Sequence, residues 1–272
     1  MNITIPLVSR NRPTGLLSVL TSLDALATGS HHINYVVVVD DDDEPTLKIL
    51  RDYSKYLPAN THVRIGKRDR TLNARMNQAV NEFPADIYTF LPDDGFPLSQ
   101  HWDAKFNELR ELPAFAWCEL KDPNNATFIC LSERWRKATG RGLPEYFPFW
   151  FADTWILEVY LLAFAKPIGI AQQLSMGGKR GTTQGMRELP FWFDFFARTR
   201  VERIKEAEKV AREWGLAVDV ARDRKEPLKY LEECDRAQQG RIKDYERIFK
   251  ADIGEPSEVY IQAKARADAW RA

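Results

Sequence analysis

Tyr35-Val36-Val37-Val38-Val39 runs without interruption into Asp40-Asp41-Asp42-Asp43-Glu44. A strand with one wet face alternates apolar and polar residues; an unbroken valine run instead suits a strand buried on both faces, as at the centre of a parallel sheet. The carboxylates then fall at its C-terminal end, where open α/β sheets collect ligands. On its N-terminal side, Ile3 to Val8 forms a first strand ending at Ser9-Arg10-Asn11-Arg12. Pro13 opens a helix with Leu16, Leu20, Leu23 and Ala27 on one face. On the other side, Pro45 starts a helix carrying Leu47, Leu50, Tyr53 and Leu57, and a short strand follows at His62 to Ile65. Thr71 caps a helix that turns Leu72, Met76, Ala79, Val80 and Phe83 inward. A fourth strand, Asp86 to Leu91, stops at Pro92-Asp93-Asp94-Gly95. This alternation predicts an α/β fold of βαβ units around a mostly parallel sheet.

The 272 residues, 44% hydrophobic and 12% aromatic, supply a sizeable core and exclude a disordered chain. Lys plus Arg and Asp plus Glu both total 39, so the whole-chain field attracts neither nucleic acid nor anionic membrane. A polyanionic partner must be met by a local patch. Cys118, Cys130 and Cys234 form neither a CxxC pair nor a disulfide framework, which suits a reducing, cytoplasmic setting. The chain begins on a strand without a basic, then apolar, leader. Trp155 to Ala165 is too short to span a bilayer and contains Glu158, so it reads as a core helix, and no integral membrane segment is expected. Residues 1–190 form the main domain; the charge-dense remainder, 191–272, reads as a helical C-terminal extension packed on that domain or on a second subunit in a homodimer.

Asp93 and Asp94 alone would read equally well as turn residues. Their weight comes from company: Asp40 to Glu44, Arg10, Arg12, Lys67, Arg68 and Arg70 also sit at strand C-terminal edges, which a parallel sheet brings together. Such a cleft suits a divalent cation and a nucleotide carrying a diphosphate. Asp153 stands within Phe149-Trp150-Phe151-Ala152-Asp153-Thr154-Trp155 at a helix start. Apolar surroundings raise a carboxyl pKa and a helix N-terminus lowers it, so the residues alone read as a base or as a simple cap. Tyr146, Phe147, Phe149, Trp150 and Phe151 suit a sugar-stacking platform or an aromatic core. Arg134-Trp135-Arg136-Lys137 with Arg141 suits a nucleic-acid backbone and stacked base, or plain solvated charge.

Pro6-Leu7-Val8-Ser9-Arg10-Asn11-Arg12-Pro13, Val36 to Asp41, Asn73-Ala74-Arg75-Met76-Asn77 and Phe90-Leu91-Pro92-Asp93-Asp94 resemble, in order and spacing, nucleotide-sugar glycosyltransferases of the GT-A fold, family 2-like, over roughly residues 1 to 190. The resemblance implies a Rossmann-like, mostly parallel sheet flanked by helices. It also implies transfer of a hexosyl or pentosyl group from a nucleoside-diphosphate sugar to a hydroxyl, with inversion. Ser9, Arg10 and Arg12 match the loop bordering the nucleotide, and Asp40 or Asp41 the residue that reads the base. Arg70, Arg75 and Asn77 match positions near the base and diphosphate. Asp93 would face the ribose and, with Asp94, hold Mn2+ or Mg2+; Asp153 would be the base, with Glu145 and Glu158 as alternatives. The glycines of Ser175 to Gly181 suit a flexible lid carrying Lys179 and Arg180, or a solvated surface loop.

Two departures stand out. Pro92 occupies the position of an acid in many relatives, and His31, His32, His62 and His101 all precede the region where relatives place a late metal-binding histidine. The acceptor is open: a glycan, a lipid-linked sugar, a protein side chain, or a hydroxylated base in modified nucleic acid such as DNA. Two other functions compete. A sugar nucleotidyltransferase would carry a glycine-rich first loop, which Ser9 to Pro13 lacks. A non-catalytic nucleotide-sugar-binding protein would keep the fold without the chemistry.

Overall fold

The computed structural model describes residues 1–148, 151–177, 188–218 and 255–271. Strands β1 (Asn2–Ser9), β2 (His32–Asp40), β3 (Thr61–Gly66) and β4 (Ile87–Thr89) are parallel and lie in the order β3-β2-β1-β4. Helices α1 (Pro13–Ala25), α2 (Glu44–Asp52) and α3 (Leu72–Glu82) connect them. The valines of β2 are buried on both faces as their pattern requires. Val37 and Val39 pack with Leu16, Leu20 and Leu47, while Val36 and Val38 meet Ala79 of α3.

Local signals set the helix starts. Pro13 occupies the first turn of α1, Asp43 accepts from Thr46 N at the start of α2, and Thr71 accepts from Ala74 N at the start of α3. Their ends differ from expectation. Val19 joins Leu16, Leu20 and Leu23 on the buried face of α1, while Ala27 lies past its end. Helix α2 stops at Asp52, leaving Tyr53 45% exposed. Strand β4 is three residues long, shorter than the expected Asp86 to Leu91.

Beyond β4 the sheet becomes mixed. Strand β7 (Asp122–Ser132) is antiparallel to β4 and to β6 (Ala114–Glu119), β8 (Ile170–Met176) runs parallel to β6, and β5 (Gly95–Pro97) closes the edge antiparallel to β8. Four of the seven pairings are parallel. Alternation along β6 sends Phe115 and Trp117 into the core shared with β1, α1 and α2, and Ala114 and Ala116 into the core on the opposite face.

That second core is aromatic. Helices α4 (Phe106–Leu109) and α5 (Glu133–Thr139) precede α6 (Ala152–Phe164), which buries Trp155, Ile156, Val159, Tyr160 and Ala163 as the core helix expected there. Against it lie α7 (Leu189–Arg198), α8 (Arg200–Glu213) and α9 (Glu258–Arg271), supplying Trp192, Phe195, Phe196, Val210 and Tyr260 to the same cluster. Phe147 and Phe151 are consumed here, packed on Trp155, Phe195 and Phe196, so they are core and not a sugar platform; Phe149 and Trp150 lie outside the described residues. Trp135 is fully buried and stacks on Tyr160, while Arg134 pairs with Glu213 and Arg136 with Glu133. Of the two readings of this segment, the one with a free indole between exposed cations does not hold, because the indole is core. Among the described residues no helix is long and apolar enough to cross a membrane.

Arg203, within the charge-dense C-terminal extension, is fully buried. Its Nε donates to Glu158 Oε2 at 2.8 Å and Nη1 to Phe196 O at 2.6 Å, with the guanidinium 3.8 Å above the Phe196 ring. Truncating one partner of a buried ion pair strands the other charge, at a cost of about 3–5 kcal/mol. Arg203→Ala should lower stability by that order in urea unfolding, and Arg203→Met combined with Glu158→Gln should lose markedly less.

Candidate functional site

The C-terminal ends of β1, β2 and β4 meet at one edge of the sheet, and Ser9, the last residue of β1, ties them together with the three residues after it. Ser9 Oγ donates to Asp93 Oδ2 at 2.7 Å. Arg12 Nη1 donates to Asp93 Oδ1 at 3.1 Å and to Asp94 Oδ2 at 2.6 Å. One nitrogen thus bridges two adjacent carboxylates. Arg10 does the same for β2, reaching Asp40 at 2.9 Å and Asp42 through both guanidinium nitrogens. Between the two arginines, Asn11 takes a left-handed conformation, φ 56°, from which its backbone N–H donates to Asp43 Oδ2 at 2.8 Å.

The charges shift one another accordingly. Burial pushes the Asp93 carboxyl above its ordinary value, only partly offset by the Ser9 hydroxyl and Arg12, and Asp94 pushes it the same way. Burial alone would lower the Arg12 guanidinium, but Asp93 and Asp94 outweigh it and hold Arg12 more firmly charged.

Of the other expected residues, Asp41 is exposed and its N–H donates to Gly66 O at the end of β3. Lys67, Arg68 and Arg70 are exposed on the following loop. Arg75 is buried beneath that loop: Nη2 donates to Asp69 at 3.1 Å, and a Cβ on Gly66 would stand 2.6 Å from Arg75 Nη1. Asn77 is fully engaged, with Nδ2 donating to Leu143 O and Glu145 Oε1 and Oδ1 accepting from Gly142 N and Leu143 N. It has no hydrogen-bonding capacity left for a nucleotide unless that loop lets go.

Asn73, one helical turn before Asn77, donates to Pro144 O and Phe147 O. The two asparagines fasten residues 142–147 to α3, and this loop leads to Asp153. Asp153 sits in the first turn of α6, half-buried, accepting from Thr154 N at 2.8 Å. The preceding Phe151 has φ 70°, a left-handed conformation that a β-carbon disfavours. Glu158, the alternative base, is bound to Arg203 and Arg200; Glu145 accepts from Asn77.

Asn11 and Asn73 were not singled out from the sequence, although Asn is the side chain most tolerant of φ above zero after glycine, and Asn73 and Asn77 share a helix face. Gly177 was seen only as part of a loop. Its N–H donates to Asp94 O at 2.7 Å, and a Cβ there would overlap Phe96 of β5 at 2.1 Å, so the end of β8 is welded to the acidic turn. Residues 178–187, including Lys179 and Arg180 of the expected lid, lie outside the described residues.

The donor set bears on the expected divalent ion. Both Asp93 oxygens and one Asp94 oxygen already accept one hydrogen bond each, and the two that face Arg12 are shared with its cationic Nη1. Among the described residues no group of three or more His, Cys, Asp or Glu side chains could hold a metal. With Arg12 in place, these residues do not fit a resident Mn2+ or Mg2+. A cavity of about 360 Å3 lies elsewhere, between the end of α5 and α8. Its lining includes the Arg141–Glu206 and Lys205–Glu202 ion pairs and draws on none of the strand ends.

No protein-family model and no curated protein matches the sequence. Among solved structures the chain is similar to the mannosyltransferase PcManGT from Pyrobaculum calidifontis in complex with GDP-Man and Mn2+, at 12% identity and a TM-score of 0.57 over 99% of this chain and 87% of that one. It is likewise similar to S. aureus TarS 1–349 in complex with UDP-GlcNAc, at 12% identity and a TM-score of 0.57 over 78% and 70%. The likeness is one of fold: the chain has the GT-A arrangement anticipated from its sequence.

A buried carboxyl with a raised pKa is penalised when ionised, and the penalty vanishes as pH falls through the raised folded value toward the unfolded one. Asp93→Asn, which can keep an oxygen on Arg12 and donate to Ser9 Oγ, should raise the Tm at pH 7 relative to the wild type. The gap should close when thermal unfolding is repeated at progressively lower pH.

Proposed function

We propose that this GT-A chain transfers a sugar from a nucleoside-diphosphate sugar to an acceptor hydroxyl, inverting by single displacement. The observation that supports this most is the strand-end cluster in which Ser9 and Arg12 hold Asp93 and Asp94 at the end of β4 while Arg10 holds Asp40 at the end of β2. Acids and guanidinium groups side by side at the C-terminal edge of a parallel sheet suit a ligand that is both a hydrogen-bond donor and a polyanion. The two similar structures, named with GDP-Man and with UDP-GlcNAc, hold donors of this class on the same fold.

In this scheme Asp40 or Asp41 accepts hydrogen bonds from the base and Asp93 from the ribose hydroxyls. Arg12, Arg70 and Arg75 balance the diphosphate charge, which grows as the bond to the anomeric carbon breaks. Asp153 removes the acceptor hydroxyl proton while that oxygen forms the new bond, and the nucleoside diphosphate departs with the electron pair. Asn77 serves indirectly, by holding loop 142–145. Residues 1–190 carry the transfer, and the helices of 191–272 provide the surface for the acceptor or a second copy. The acceptor is a hydroxyl of a glycan or of a hydroxylated base in DNA.

Asp153→Asn should reduce transfer by about 10²-fold or more, the scale of general-base catalysis, while nucleotide-sugar binding measured by thermal shift stays within about twofold of wild type. Unchanged turnover would remove Asp153 from the mechanism. Incubation with a panel of nucleotide sugars should release nucleoside diphosphate; pyrophosphate release would instead mark a nucleotidyltransferase.

A further inference from the structure

We infer that Arg12 takes the place of a divalent metal in the donor site, so that nucleoside diphosphates bind without one; this rests on the nucleotide-sugar reading above. The position is specific. Arg12 immediately precedes Pro13 at the start of α1, and its Nη1 lies in the gap between Asp93 and Asp94, within 3.1 Å of one and 2.6 Å of the other. A metal bridging the two carboxylates would need the same oxygens and the same gap. Pro92, next to the pair, offers no further carboxylate.

The remaining guanidinium edge is what makes Arg12 more than a structural clamp. Only Nη1 is engaged by the aspartates, while Nε and Nη2 bond nothing among the described residues, and the side chain is 30% exposed. A guanidinium anchored by one nitrogen can present its other N–H groups to two phosphate oxygens in the forked geometry that Arg favours. The start of α1 adds to this, because it carries no side-chain cap and leaves its first N–H groups, beyond Pro13, open to an anion. The aspartates fix Arg12, and Arg12 with the helix start meets the diphosphate. A divalent ion normally does both tasks at once.

The prediction reverses the usual effect of deleting a cation. Mn2+ alone, titrated into wild-type protein and followed by the loss of its free-ion paramagnetic resonance signal, should show no saturable binding below about 1 mM. UDP and GDP should bind with the same affinity in EDTA as in Mn2+. Arg12→Ala should lose tenfold or more in UDP or GDP affinity in EDTA, and should gain saturable Mn2+ binding through the freed carboxylates. Adding Asp94→Asn to that variant should abolish the gain. Arg12→Lys, which keeps the charge, should stay insensitive to EDTA and controls for misfolding together with circular dichroism. Tight Mn2+ binding by the wild type, or a tenfold loss of nucleotide affinity on chelation, would overturn the inference. So would an Arg12→Ala variant that gains no Mn2+ site. Failure of the wild type to bind UDP or GDP with or without Mn2+ would defeat the transferase reading instead, and the Mn2+ titrations would still decide what Arg12 replaces.

Discussion

The guanidinium of Arg12, lodged between Asp93 and Asp94, is the contact on which the acidic C-terminal edge of the sheet depends. Parallel strands all deliver their C-terminal loops to one side, and here β2 and β4 deliver Asp40, Asp41, Asp42, Asp43, Asp93 and Asp94. Carboxylates gathered that closely repel one another, and those out of water lose hydration as well. The loop after β1, the strand between the two, answers both with Arg12 toward β4 and Arg10 toward β2. The edge is thereby neutralised from within, each arginine answering the carboxylates of one neighbouring strand.

A second polar device joins this edge to the far end of the cleft. Helix α3 starts on the loop that carries Arg70, buries Arg75 under the end of β3, and uses Asn73 and Asn77 to hold residues 142–147. All four hydrogen-bonding positions of Asn77 are filled, which is how a buried amide stabilises a loop without an energetic debt. That loop feeds the aromatic cluster around Phe147, Phe151 and Trp155, and so fixes the start of α6 and the place of Asp153. Asp153 and the strand-end cluster are therefore linked through the contacts of α3.

Much of the first half was legible because its signals are short-range. The valine run of β2, the prolines at the starts of α1 and α2 and the Thr71 cap each decide the conformation of a few neighbouring residues. The antiparallel half was not legible: β4 and β5 are three residues each, and β6 pairs with β7 across register shifts near Trp117 and Cys118. Periodicity over such lengths does not distinguish a strand from a loop. Trp135 and Arg203 misled for a related reason. Each lies among charged residues that suggest surface, yet one is covered by Tyr160 and the other by Phe196 and Trp155.

The sequence by itself determined a parallel α/β sheet, acids and arginines at its strand ends, and a carboxylate at the start of an aromatic helix, since each depends on residues within a few positions of one another. Tertiary structure alone decided which of those groups meet. Arg12 and Asp94 are 82 positions apart, Asn77 and Leu143 are 66 apart, and no local preference records either contact. Whether Asp93 and Asp94 face a metal or a guanidinium is set by which cation the folded sheet brings within about 3 Å of them, and that is a matter of strand order and loop path rather than of composition.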